Sequence, residues 1–446
     1  MRIVCVMLLA ASLLPAQQLA SAPAPMPLSL KRAVEIAVAP EGSAKIQIAG
    51  EAVKEARAQS LEARAALLPD LETAFRRTSM TVSLKAEGLS NAFQIPIAGF
   101  ALPNLVGPFS VADARATAQQ SIFDFSSIRR YQASKTGVTA SKADLDASSE
   151  QVAAQVARAY LQAVKGDTDV DTAQANVTLS QANLTLAEHE KEAGVGTGIE
   201  ITRARVQLAN DQQRLLAAQN ARRAAHLQLL RAMGMRLDSD VELTDKLQFV
   251  PVDPVTLENA RAMALRQRPD LQAQQQREAQ ARLSANAVAM ERLPSVAASA
   301  DYGTIGPGLN NAIPTYTYGI QVKVPVFDGG RRDARRVESD SQYRAERVKT
   351  SDMKEQIELD VRLALDSLSS AADEVQVAKD GLELADSELT QAKRRYEGGV
   401  ANSLEVTDAQ TRVERARDNQ TEALYNYNVA RIDLAQAMGK VRSMLQ

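Results

Sequence analysis

The feature that most constrains this chain is a gapless internal duplication. A shift of 205 positions lays Glu405-Val406-Thr407 on Glu200-Ile201-Thr202 and Met438-Gly439 on Met233-Gly234. The same shift pairs Val361 with Val156, Leu389 with Leu184 and Ala409 with Ala204. Self-similarity at one fixed offset means that a single unit has been built twice. Each copy reads as a long helical hairpin with a glycine-rich turn. Stepping by seven, Val361, Leu368, Val375, Leu382 and Leu389 are large, while the row beside them, Ile357, Ala364, Ala371, Ala378, Ala385 and Ala392, is almost all alanine. After the turn, Ala409, Ala416, Ala423, Ala430 and Ala437 form another small row. The first copy repeats the pattern with Val156, Ala163, Val170, Val177 and Leu184 beside Val152, Ala159, Gly166, Ala173 and Ala187. A heptad of alternating bulk packs helices knobs-into-holes at close range. Helix propensity alone would not confine alanine to particular positions. A helix from about Gly330 to Tyr396 is roughly 100 Å long, far beyond the usual three turns. The chain therefore builds an extended rod or tube.

The remainder is punctuated the same way in both halves. Residues 1–22 read as a secretory signal, with Arg2, an apolar run from Ile3 to Leu14 and Ala20-Ser21-Ala22 at its end, although Pro23 would hinder cleavage directly after Ala22. The one cysteine, Cys5, falls inside that segment, so the mature chain has no disulfide, thiolate metal site or cysteine nucleophile. A net charge of −2 gives no reason to expect nucleic acid. No later run is long and apolar enough for a spanning helix, so entry into a membrane requires a closed β-barrel.

Residues 23–234 form the first repeat, 235–254 a connector, 255–439 the second repeat and 440–446 a short tail. In each repeat a helical stretch stops at a proline, at Leu68-Pro69 and at Leu293-Pro294, because proline cannot continue the helix. Two strands follow each stop, expected at 71–85 and 109–123, then at 295–304 and 315–327. In the last, Tyr316, Tyr318, Ile320, Val322, Val324 and Val326 alternate with polar or small residues, as one wet and one apolar face requires. Phe75, Phe123, Tyr302, Tyr316 and Tyr318 suit the aromatic girdle of a transmembrane barrel. Four strands cannot close such a barrel, so the reading demands oligomerisation.

This order resembles the TolC-like outer-membrane efflux family. The pieces that carry it are Arg268-Pro269-Asp270-Leu271, Leu293-Pro294, Pro325-Val326-Phe327-Asp328-Gly329-Gly330-Arg331 and Tyr396-Glu397-Gly398-Gly399-Val400 followed by Glu405-Val406-Thr407-Asp408-Ala409. The resemblance covers essentially the whole mature chain. It implies a mainly helical homotrimer: a twelve-stranded barrel in the outer membrane of a Gram-negative bacterium, continued by a twelve-helix tunnel in the periplasm. It implies a passive exit duct for efflux or type I secretion. Its partners would be outer-membrane lipid, a periplasmic adaptor and an inner-membrane transporter, with no nucleic acid, cofactor or enzymatic activity. A secreted coiled-coil rod without a pore is the alternative, and the strand pairs argue against it.

Candidate sites lie at the two hairpin tips, expected at 194–200 and 397–404. Glu405 and Asp408, spaced i, i+3, share a helix face just past the second tip. Acidic residues there also complement the helix dipole. The first copy has Glu200 and Arg203 at the matching positions, so only the second carries two carboxylates. The resemblance makes Glu405 and Asp408 a ring at the periplasmic entrance, six carboxylates under threefold symmetry. Ala401 stands where some relatives hold the tip closed with a basic residue. Gly194, Val195, Gly196 and Thr197, with Gly398, Gly399, Val400 and Ala401, are the adaptor-docking tips. His189 and His226 have no metal-ligand spacing and read as solvated helix residues. Gly194-Val195-Gly196-Thr197-Gly198 lacks a P-loop lysine and a preceding strand. Arg331, Arg332, Arg335 and Arg336 read as a solvated basic cluster near the membrane boundary.

Overall fold

The structure, a computed structural model, describes residues 26–88, 103–194, 196–253 and 255–445. The signal reading at 1–22 and Val195 lie outside the described residues.

The duplication is visible as two long hairpins. Helix α3 (Phe125–Glu192) turns into α4 (Gly198–Met233), and α7 (Arg331–Glu397) turns into α8 (Ser403–Ala437). Shorter helices accompany them: α1 (Leu30–Val38), α2 (Ala44–Ala65), α5 (Leu257–Gln267), α6 (Pro269–Met290) and α9 (Val441–Leu445). Four long strands follow the proline stops, β2 (Asp70–Ser83), β3 (Leu105–Phe123), β5 (Ser295–Gly306) and β6 (Ile313–Lys323). They form one antiparallel sheet in the order β2-β3-β5-β6. The sequence expected the last strand to reach Phe327; β6 ends at Lys323, because Pro325 has no N–H to give the ladder. The first tip is also shorter than 194–200, since Thr197 caps α4 and Gly198 to Glu200 are already its first turn.

The sequence missed a strand pairing. Within the connector, β4 (Val241–Leu243) pairs in parallel with β1 (Met26–Leu28). This small ladder seats on the fully buried Tyr160, whose Oη donates to the Leu28 carbonyl at 2.8 Å and accepts from the Asp245 N–H at 3.3 Å. Burial, then Asp245, raises the Tyr160 phenol, so it stays a donor. Three-residue strands carry too little alternation to be read from sequence.

The cores repeat with the sequence. Val152, Val156 and Leu229 are buried in the cluster around Tyr160, and their partners at the 205 shift, Ile357, Val361 and Leu434, are buried in the other. Around these cores the elements form a wall one layer thick. Beneath the sheet the neighbours run α2-α3-α6-α7, and further down α4-α3-α8-α7. Every level thus ends on the same two flanks, β2, α2 and α4 on one and β6 and α7 on the other. Both flanks expose apolar side chains, Ile48, Leu61 and Leu216 on the first, Leu363, Val377 and Leu384 on the second.

Candidate functional site

The site is the end of the wall farthest from the sheet, where the hairpins turn. Each turn needs one left-handed residue, and Gly194 (φ 78°) and Gly399 (φ 68°), equivalent under the 205 shift, supply it. Gly398 has φ −79°, so of the Gly398-Gly399 pair only Gly399 requires glycine. Thr197 and Glu200 make a capping box on α4, with the Thr197 N–H donating to Glu200 Oε2 at 2.7 Å. On α8 the cap is Asn402, whose Oδ1 accepts from the Glu405 N–H at 3.2 Å.

Three contacts tie the hairpins together here. Tyr396 Oη donates to Glu190, at 2.7 and 2.8 Å from its two carboxylate oxygens. Ser403 Oγ donates to Glu200 Oε1 at 3.3 Å. About two turns further up, Asn183 Nδ2 donates to Gln410 Oε1 at 3.1 Å. A hydrogen bond to a charged group contributes about 1.5–3 kcal/mol, and of the two that end on a carboxylate Tyr396–Glu190 is much the shorter. Burial and the Glu190 charge push the Tyr396 phenol up to about 12, which keeps it a donor at any physiological pH. The Thr197 N–H and, less strongly, Ser403 hold the Glu200 carboxyl below its ordinary range.

Glu405 and Asp408 sit on α8 just past the tip, Asp408 exposed and Glu405 half-buried. Glu405 has a partner that the sequence did not suggest: Arg395 Nε lies 2.8 Å from its Oε1. Both partners remain substantially exposed, so the pair contributes no more than about 1 kcal/mol. Gly194, Gly196 and Thr197 on one side and Gly398, Gly399, Val400 and Ala401 on the other occupy the two turns themselves. Sequence reasoning missed Arg395, Tyr396 and Glu190. The signal was present: the 205 shift lays Arg395 on Glu190 and Tyr396 on Lys191, a reversal of charge at the tips.

Farther up the hairpins, polar residues interrupt the heptads. Ser180 Oγ donates to Asp211, whose side chain is fully buried, and Gln207 Nε2 donates to both its oxygens at 3.1 Å. Arg214 stands 3.7 Å from Asp211 and 2.9 Å from Glu414 on α8. Burial, then the Asp211 charge, raises the Glu414 carboxyl despite Arg214. His226 departs from its expected reading: it is not solvated but lies 3.0 Å from Asp167 and is 17% exposed. Burial works against the Asp167 charge, yet His226 and Arg222 outweigh it and keep the carboxyl below its usual range. The expected solvated arginine cluster is also largely paired, Arg332 with Asp328 at 2.7 Å and Arg335 with Glu291 at 2.8 Å. Among the described residues no group of three or more His, Cys, Asp or Glu side chains is placed to hold a metal.

At the other end the sheet is two-faced. Opposed residues share a face, which puts Phe75, Tyr302, Tyr316, Tyr318 and Ile320 together, each more than half exposed. The opposite face carries Asp113, Arg115, Thr117, Asp301 and Thr315. Arg115 lies across Gly303, with Nε 3.3 Å from Asp113, Nη2 3.2 Å from Thr315 and an ion pair to Asp301. A Cβ on Gly303 would come within 2.8 Å of Arg115 Cα. No helix among the described residues is long and apolar enough to cross a membrane.

Known proteins share this arrangement. A family model described as outer membrane efflux protein matches residues 37–235 and 260–440. The alkaline protease secretion protein AprF of Pseudomonas aeruginosa is 23% identical over 320 residues, 70% of this chain and 66% of that protein. The toluene efflux pump outer membrane protein TtgF of Pseudomonas putida is 25% identical over 262 residues, 56% of this chain and 52% of that protein. The chain thus spans about two thirds and about half of the length of these curated relatives. The crystal structure of the Campylobacter jejuni CmeC outer membrane channel superposes with a TM-score of 0.78 at 16% identity, over 92% of this chain and 85% of that one, which shows a common fold. With most of each repeat inside the matched segments, the chain belongs to the outer membrane efflux protein family, in the outer membrane of a Gram-negative bacterium with its helical part in the periplasm.

Proposed function

We propose that three copies of this chain close into one passive exit duct, which takes cargo from a periplasmic adaptor and an inner-membrane transporter and releases it outside. The observation that carries this reading is the set of matched open flanks. A four-stranded sheet with two bare edges is untenable in lipid. The helical levels stop on the same two sides with apolar residues exposed, so one rotation that pairs β6 with the next β2 also sets α7 against the next α2 and α4. The polar sheet face with Arg115 then lines the lumen, and the aromatic face meets lipid. No step of chemistry is asked of the chain.

The tips are the entrance and the docking point for the adaptor, because they lie farthest from the sheet. Glu405 and Asp408 form the constriction, with Arg395 offsetting part of the Glu405 charge. Charges elsewhere on the shafts are screened over about 8–10 Å at physiological salt; a narrow ring is not. Planar-bilayer recordings test both claims. The purified protein is expected to be a heat-modifiable trimer that conducts, prefers cations and is blocked by a trivalent cation. Glu405→Ala/Asp408→Ala is expected to lose that preference and that block. A folded, non-conducting monomer would overturn the duct, and unchanged selectivity in the double variant would overturn the constriction.

A further inference from the structure

Between the hairpins, just above the Tyr396–Glu190 and Ser403–Glu200 contacts, lies a cleft of about 400 Å³. That volume is within the range of small-molecule sites, roughly 300–1,000 Å³. We infer that this cleft binds a small amphipathic organic cation, one per protomer. Its walls are apolar and come from both hairpins: Leu186 and Val206 on the first, Leu404 and Val406 on the second. Leu186, Val206 and Leu404 are 50, 56 and 44% exposed, so apolar side chains otherwise given to water gather at this one place. Neutral polar groups such as Asn183, Gln207 and Gln410 also line it, and its charged lining is sparse and biased. Glu190 and Glu200 supply two carboxylates, and Arg203, exposed on α4, is the one cation. The Tyr396 ring at the floor adds the aromatic partner that an ammonium group favours. An apolar body between the helices with an amine near the floor satisfies all three features; an anion would meet two carboxylates against one guanidinium.

The site has a consequence for the duct, which rests on reading the tip as its gate. Because the walls belong to both hairpins, the cleft exists while they are joined and is dispersed when they part. A ligand that binds only the joined arrangement stabilises it, so an occupied cleft holds the entrance shut.

The test uses the full-length protein in detergent and dansylcadaverine, a primary amine carried on an aromatic body, with its N-acetyl derivative as the neutral analogue. Fluorescence anisotropy is expected to show saturable binding of the amine, at least tenfold weaker for the acetylated form. Val206→Trp and Leu404→Trp, which fill the cleft from exposed positions on opposite hairpins, are expected to weaken binding at least tenfold. Equal binding of the two probes, or undiminished binding in both tryptophan variants, would overturn the site. Binding is read without current, so the site stands or falls separately from the gate. Amine binding that leaves the open fraction in bilayers unchanged would overturn the closing effect.

Discussion

The two hairpins come from one unit, yet they are held differently. The alanine row of the second hairpin contains Ala385 and Ala416; the shift of 205 puts Ser180 and Asp211 at those places in the first. There the buried Asp211 is satisfied by Ser180 and Gln207 and faces Arg214, which reaches across to Glu414. The second hairpin has no such knot, and α7 leaves Leu363, Val377 and Leu384 exposed on the open flank. At the tips the asymmetry reverses. Glu200 is fixed in its capping box, while Glu405 is held only by an exposed arginine. Duplication supplied two equal hairpins; polar substitution gave the first a buried knot, while the polar ties between the helices of the second are exposed ion pairs, Arg412 with Glu388 and Arg417 with Asp386. A part that must move is drawn from the weakly held regions.

The largest effect should come from breaking the knot on one side only. Asp211→Ala removes the acceptor shared by Ser180 and Gln207, and a loss of about 3 kcal/mol is expected in thermal unfolding of the detergent-solubilised protein. Converting the first hairpin to the pattern of the second, Ser180→Ala/Asp211→Ala, should recover part of that loss. Ala416→Gly at the matching place should cost only the propensity difference, about 1 kcal/mol. A double variant worse than the single would remove the contrast between the hairpins.

Arg214→Met comes next. It leaves the buried Glu414 without its cation, and about 2 kcal/mol is expected. The folded Glu414 already titrates above its ordinary value. Its ionised form is therefore disfavoured by folding at higher pH, and that cost is relieved as pH falls through the folded pKa. Stability should rise on mild acidification, more steeply in Arg214→Met, and the Glu414 share should vanish in Glu414→Gln. Identical pH profiles in all three proteins would contradict the assignment.

Smaller effects are expected at the second tip. Arg395→Ala should change the open fraction by no more than about fivefold, since an exposed pair contributes about 1 kcal/mol or less. An effect larger than that of removing the Tyr396 hydroxyl would reverse the ranking of the two contacts.

Most of the fold was legible because it is periodic. Heptads gave the hairpins, the period of two in Tyr316 to Val322 gave a two-faced strand, and prolines at 69 and 294 marked where helix becomes sheet. What escaped depends on contacts far apart in the chain. The β1–β4 ladder joins residues more than two hundred positions apart over three-residue strands. The Tyr396–Glu190 bond crosses between repeats, and no local pattern says that these two side chains meet. Asp211 reads as one more helix-surface acid until Ser180 is seen to interrupt the opposite row. His226 was likewise read as solvated because its partner Asp167 lies on the other helix of the hairpin.

The central claim is that contacts between the hairpins hold the entrance of the duct closed. Single-channel recording of wild type, Tyr396→Phe and Tyr396→Phe/Ser403→Ala in planar bilayers tests it most directly. Loss of the phenolic donor, worth about 1.5–3 kcal/mol, should raise the ratio of open to closed time at least about tenfold, and the double variant should raise it further. An open fraction unchanged in both variants, with trimers and conductance intact, would contradict the account.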